Sequence, residues 1–152
     1  MGRVSLPGAP LGRRDAARVA LLLRDRLQRD ALVKTTGGLG LHVLVPLREP
    51  HSYAETRAFA RAIAHEFAER HPGIAASAAG RRGRQGTVLV DWAQNSERRT
   101  VIASYSLRAA DVPLASVPVT WEEVRDGDDL RFGPQQALER VQRLGDLAFS
   151  DP

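Results

Sequence analysis

The run VLVDWAQN at positions 88–95 closes an apolar stretch with a carboxylate and two amides, Asp91, Gln94 and Asn95. On an extended chain Asp91, Ala93 and Asn95 share one face, and Val88, Val90, Trp92 and Gln94 share the other. A buried carboxylate is costly unless a metal, a cation or hydrogen bonds compensate its charge. Two roles fit Asp91: a metal ligand in phosphate chemistry, or a strand-end residue bonded to a neighbouring loop. A second such segment is KTTGGLGLH at 34–42. Glycines at 37, 38 and 40 let backbone N–H groups approach an anion, the threonine hydroxyls donate to phosphate oxygens, and His42 can donate at the loop exit. The spacing is not that of the helix-leading phosphate loop, and a plain glycine-rich hairpin turn is the competing interpretation.

The third segment is TVIASYSLR at 100–108, where Thr100, Ile102, Ser104, Ser106 and Arg108 share a face of an extended chain. Pairing it with 87–94 as a hairpin groups Asp91 and Asn95 with Ser104, Ser106 and Arg108. Arg84, just before the first strand, supplies a second cation. Such a set suits a metal-bound triphosphate, with Asp91 on the metal and Arg108 on phosphate oxygens. The alternative is a solvated sheet face carrying one surface salt bridge.

The elements that must hold these segments are legible in outline. Residues 1–12, rich in glycine and proline, read as a loop or frayed terminus. An amphipathic helix is predicted over about 13–30, from the stripe Ala17, Ala20, Leu21, Leu23, Leu27 and Leu32. Strands follow at 31–36 and 40–47. Ser52 with Glu55 has capping-box spacing and opens a helix over 52–70, which stops before Pro72-Gly73. Residues 75–86 read as a loop, 87–94 and 100–107 as a hairpin, and 134–144 as a final helix with Pro134 in its first turn. The segment TWEEV at 120–124 falls in an irregular stretch. The fold class is α+β, a mostly antiparallel sheet with packed helices, in one domain over 13–148.

Composition narrows the chemistry. The chain of 152 residues has 43% hydrophobic and 26% charged side chains, enough for one core. It has no cysteine, which excludes disulfides, thiolate zinc sites and cysteine nucleophiles. The four histidines show no close ligand pair, so zinc is not expected. The stretch VALLLRDRL is broken by Arg24 and Asp25, no run reaches the ~20 apolar residues of a membrane helix, and a cytoplasmic location is expected. Net charge is +4, and Lys34 is the single lysine, so nearly all the basic residues are arginine. Arginine forks suit phosphate, although a GC-rich genome produces the same bias. Clusters at Arg13-Arg14, Arg81-Arg82-Gly83-Arg84 and Arg98-Arg99 are candidates for a phosphate-contacting face.

In order, KTTGGLGLHVLVPL, VLVDWAQN, TVIASYSLR and VPVTWEEV resemble the polymerase domain of bacterial ligase D. That domain belongs to the archaeo-eukaryotic primase superfamily and acts in non-homologous end joining. The resemblance runs from about residue 7 to 148. It implies a nucleotidyltransferase lineage using Mn or Mg, with DNA ends and nucleoside triphosphates as partners and a ligase or end-binding protein as a further one. Thr36 and His42 match the family motif S/T-G-G-K-G-L-H, associated with the incoming triphosphate, with Gly37, Gly38 and Gly40 in support. Asp91 matches a catalytic metal ligand, followed by Gln94 and Asn95, while Arg84 and Arg108 match basic positions that contact triphosphate or template.

The sequence also departs from that pattern. The family carries D-L-D-P-G where this chain has Val4-Ser5-Leu6-Pro7-Gly8, so Val4 and Leu6 replace both aspartates. Leu39 replaces the motif lysine. The family's domain extends before this motif with further nucleotide and DNA-end contacts, which this sequence lacks. Two-metal sites hold their ions ~3.5–4 Å apart with several oxygen ligands, more than one aspartate supplies. The nearest other acids are Asp15, in the first helix, and Glu49, beyond a strand. The expectation is loss of stand-alone catalysis. The alternatives are a nucleotide- or DNA-end-binding module, or half of a split polymerase.

Overall fold

Along the chain run β1 (Gly2–Leu6), α1 (Arg13–Leu27), β2 (Leu32–Thr35), β3 (Leu41–Val45), α2 (Tyr53–Arg70), β4 (Ala75–Ser77), β5 (Val88–Val90), β6 (Leu107–Arg108), β7 (Leu114–Ala115), β8 (Pro118–Val119), α3 (Trp121–Asp126) and α4 (Pro134–Leu144). The computed structural model describes residues 2–6, 13–27, 30–77, 86–127 and 129–147, with the backbone alone at 2–6 and 13. The principal sheet is antiparallel, in the order β1-β3-β2-β8. Its register sets Val33 opposite Val43 and Lys34 opposite His42. Alternation then sends Val33, Val43 and Val45 to one face, and Lys34 and His42 to the other.

Both long helices pack on the apolar face. Val19, Ala20 and Leu23 of α1 and Ile63, Ala64 and Phe67 of α2 join Val33, Val43, Val88 and Val90 in one buried cluster. Each large apolar side chain enclosed there contributes about 1.5–3 kcal/mol. The α2 start is a complete capping box: Ser52 Oγ accepts from the Glu55 N–H, and Glu55 accepts from the Ser52 N–H at 2.8 Å. The predicted α+β class, both long helices, the β2–β3 pair and α4 are all present.

Four features differ from the sequence expectation. Residues 2–6, read as loop, form an edge strand on β3. The expected hairpin of 87–94 with 100–107 does not form. Instead β5 stops at Val90 and pairs in parallel with β4, inside the segment read as loop, with Ala75 opposite Val88. Past Val90 the chain turns at Asp91, whose carboxylate accepts from the Ala93 N–H at 2.9 Å and from Gln94 Nε2 at 3.1 Å. Such local side-chain bonds turn the chain out of its extended path. Lastly, TWEEV is helical: Thr120 caps α3, with Glu123 bonding back to the Thr120 N–H at 2.7 Å.

Glu123 also joins α3 to α4. Arg140 is 5% exposed, donates from Nη1 and Nη2 to the two Glu123 oxygens at 2.6 and 2.5 Å, and donates from Nε to the Pro118 carbonyl. Burial works against the Glu123 charge, but the bonds from Arg140 and Thr120 outweigh it and hold this carboxyl below the usual carboxylate range. The edge strand β8 is thereby fastened to both C-terminal helices.

Candidate nucleotide site

The loop between β2 and β3 is closed at its neck by Thr36. Its N–H and its hydroxyl both donate to the Gly40 carbonyl, each at 3.1 Å. Gly37 has φ +68, where a side chain is strained. A Cβ built there would lie 2.7 Å from the Leu114 carbonyl oxygen and 3.0 Å from Arg108 Cβ. The absence of that atom is what lets the β6–β7 hairpin, with Leu107 opposite Ala115, seat directly on the glycine loop. A Cβ on Gly38 would sit 3.9 Å from Arg108 Nη1. An exposed guanidinium therefore hangs over the loop's second glycine, a combination suited to an anion.

Tyr105 steers the hairpin into this position. It has φ +65, the one positive φ outside glycine among the described residues, and its N–H donates to the Ser116 carbonyl at 2.6 Å. Its hydroxyl donates to Asp146 at 2.9 Å; burial together with that bond pushes the phenol up to about 12.

Behind the loop lies a buried polar layer. His42 is 6% exposed and Lys34 4%, facing each other across β2 and β3. The Lys34 ammonium donates to the Ile102 carbonyl at 2.6 Å and to Ser116 Oγ at 3.0 Å. The Thr35 hydroxyl donates to the Ala115 carbonyl, and the Val117 N–H donates to that hydroxyl. These bonds fasten the segment before β8 to β2 and support the loop from beneath. Lys34 and Ser116 were not among the residues picked out from the sequence. The lysine sits inside the KTTGGLGLH motif, but nothing in its neighbours signals burial.

The sequence-selected residues thus fall into two groups. Thr36, Gly37, Gly38, Gly40 and Arg108 converge at the loop, with His42 in the layer behind. Asp91, Gln94 and Asn95 form their own turn, in which the Asn95 side-chain amide donates to the Trp92 carbonyl at 3.0 Å. The expected shared face of Asp91 and Asn95 with Ser104, Ser106 and Arg108 is not built, because β5 pairs with β4. Arg84 lies outside the described residues.

Among the described residues the donor set does not fit a pair of divalent ions. Both Asp91 oxygens are engaged by their own turn. Val4 and Leu6 offer no oxygen ligand, and the register sets them opposite Val43 and Leu41, which are core residues. Among the described residues no group of three or more His, Asp or Glu side chains could hold a metal ion.

The family model for the LigD primase-polymerase domain matches residues 7–148. The multifunctional non-homologous end joining protein LigD of Pseudomonas aeruginosa is 39% identical over 139 residues, covering 91% of this chain and 16% of that protein. Its namesake from Mycolicibacterium smegmatis is 37% identical over 134 residues, covering 87% of this chain and 17% of that protein. The solved polymerase domain of Mycobacterium tuberculosis ligase D in complex with DNA superposes with a TM-score of 0.85 at 33% identity, covering 95% of this chain and 53% of that domain. The α+β fold with its glycine loop is thus that of a primase-polymerase. This chain belongs to the LigD primase-polymerase domain family. It spans less than a fifth of the length of the curated relatives it matches and about half of the solved domain.

Proposed function

We propose that this chain is a nucleotide- and DNA-end-binding domain of the end-joining repair lineage, and that nucleotidyl transfer is not performed by the chain alone. The observation that carries the proposal is the seating of Arg108 over Gly37 and Gly38. Guanidinium and backbone N–H groups there suit the phosphates of a nucleoside triphosphate. Thr36 and Gly40 hold the loop's neck, His42 backs it, and Arg84 is a second cation for the same ligand. Asp91 is the remaining catalytic carboxylate and metal ligand of the lineage, for Mn or Mg, without the two partners that Val4 and Leu6 replace. DNA ends and a ligase or end-binding protein are the macromolecular partners, in a cytoplasmic setting.

Calorimetric titration with a nucleoside triphosphate, with and without manganese, tests this. Wild type binds, and Arg108→Ala binds about 10–100-fold more weakly, since a charge-assisted bond is worth ~1.5–3 kcal/mol. Manganese adds little to either wild type or Asp91→Ala. Equal binding by wild type and Arg108→Ala would remove Arg108 from the site. Primer extension by the pure protein, run beside an active homologue, would refute the absence of stand-alone catalysis.

The replacement of two carboxylates by Val4 and Leu6 favours a second reading, half of a split polymerase whose other half supplies them. Recovery of primer extension on mixing with that half would distinguish it from a binding module.

A further inference from the structure

Trp92 follows Asp91 in the chain, and its ring is covered by two arginines. The guanidinium carbons of Arg57 and Arg61 lie 5.2 and 5.4 Å from the indole centroid. Both residues belong to α2, one turn apart, and both are exposed. Like charges at this spacing repel each other, and the ring face recovers part of that cost by cation–π attraction. Among the described residues neither guanidinium has a carboxylate partner, whereas Arg26, Arg70, Arg131 and Arg140 each have one. The indole is fixed by packing: it rests against the main core, and its Nε1 is buried with no hydrogen-bond partner among the described residues. The packed ring thus holds two guanidinium groups, neither of which has a carboxylate partner among the described residues.

Such a pair attracts an anion with several oxygens, and arginine forks match phosphate geometry. Resting on the end-joining function proposed for this chain, we infer that Arg57 and Arg61, held on Trp92, contact the phosphate backbone of a nucleic-acid strand at a site separate from the Gly37–Gly38 loop. The indole face is already occupied by the arginines, so contact here is through phosphate and independent of base sequence.

The test measures binding of the full chain to a single-stranded oligodeoxythymidylate by fluorescence anisotropy across a salt series, for wild type, Arg57→Gln/Arg61→Gln and Arg57→Lys/Arg61→Lys. Each phosphate contact on a single strand contributes about 0.7 to the slope of log affinity against log salt. The glutamine pair is expected to lower that slope by about 1.4 and to weaken binding roughly 25-fold at ~0.1 M salt. The lysine pair keeps the charge and so keeps the slope. Nucleotide affinity by calorimetry stays unchanged in both variants, with unchanged circular dichroism as the folding control. An unaltered slope in the glutamine pair overturns the inference and leaves the arginines as a cover for the indole. Inorganic phosphate competing as well as the oligonucleotide overturns it too, in favour of a small-anion site. If wild type binds nucleotide but no oligonucleotide, this inference falls while the glycine-loop site stands. Loss of nucleotide binding with the oligonucleotide effect intact gives the opposite outcome.

Discussion

Replacing Gly37 by alanine should unsettle both the hairpin seat and the loop. At φ +68 an alanine sits in the left-handed region, at a cost of about 1–2 kcal/mol. Its Cβ would also lie 2.7 Å from a backbone oxygen, that of Leu114, which cannot rotate away as a side chain could. The β6–β7 hairpin must then lift, an overpacking cost of about 1–3 kcal/mol. The sum, about 2–5 kcal/mol, corresponds to a fall in Tm of roughly 5–15 °C for a chain of this size. Gly38→Ala is the internal control. Its φ is not positive, and its Cβ would meet only Thr36 Oγ1 at 3.5 Å and Arg108 Nη1 at 3.9 Å. It should change stability by no more than about 0.5 kcal/mol. Urea and thermal denaturation measure both variants. If Gly37→Ala proves as mild as Gly38→Ala, the close seat of the hairpin on the loop is wrong, and so is the placement of Arg108 that depends on it.

Three further substitutions probe the supports. Arg140→Met leaves Glu123 without its fork and should cost about 3 kcal/mol, the low end for a broken buried pair because Glu123 keeps 23% exposure. Since the folded Glu123 carboxyl lies below its ordinary value of 4.5, its contribution is present above that pH and is lost as pH falls through the folded value. Glu123→Gln should therefore flatten the acid side of a Tm-versus-pH profile, and an unchanged acid limb would count against the pair. Lys34→Met should cost about 1–3 kcal/mol by leaving the Ile102 carbonyl without its donor, and retention of wild-type Tm would show that the buried ammonium is dispensable.

Much of the scaffold was legible because its signals are local. Ser52 with Glu55 marks the α2 start, and Pro134 the α4 start. Thr120 with Glu123 has the same spacing as Ser52 with Glu55, yet the helix it opens is only six residues long and shows no apolar period to confirm it. The β5 error has a physical basis: alternation in VLVDWAQN cannot reveal that the Asp91 carboxylate will bond its own turn. Its true partner, Ala75–Ser77, lacks the β-branched and aromatic residues that mark strands. The glycine loop was visible as a motif, but the approach of Arg108 depends on pairing 107–108 with 114–115, which only the tertiary arrangement specifies. Arg57 and Arg61 were unremarkable helix-surface residues until Trp92 was seen beneath them.

The enclosure of Lys34 has a consequence for the rest of the surface. With the single lysine sequestered, every other fixed side-chain cation is a guanidinium. A guanidinium does not lose its proton in the physiological range. Acetylation, which silences lysine charge, has no exposed side-chain target. The guanidinium share of this chain's positive potential is therefore constant across physiological pH and beyond the reach of lysine-directed modification. Ionic strength and bound anions remain as the means of modulating it.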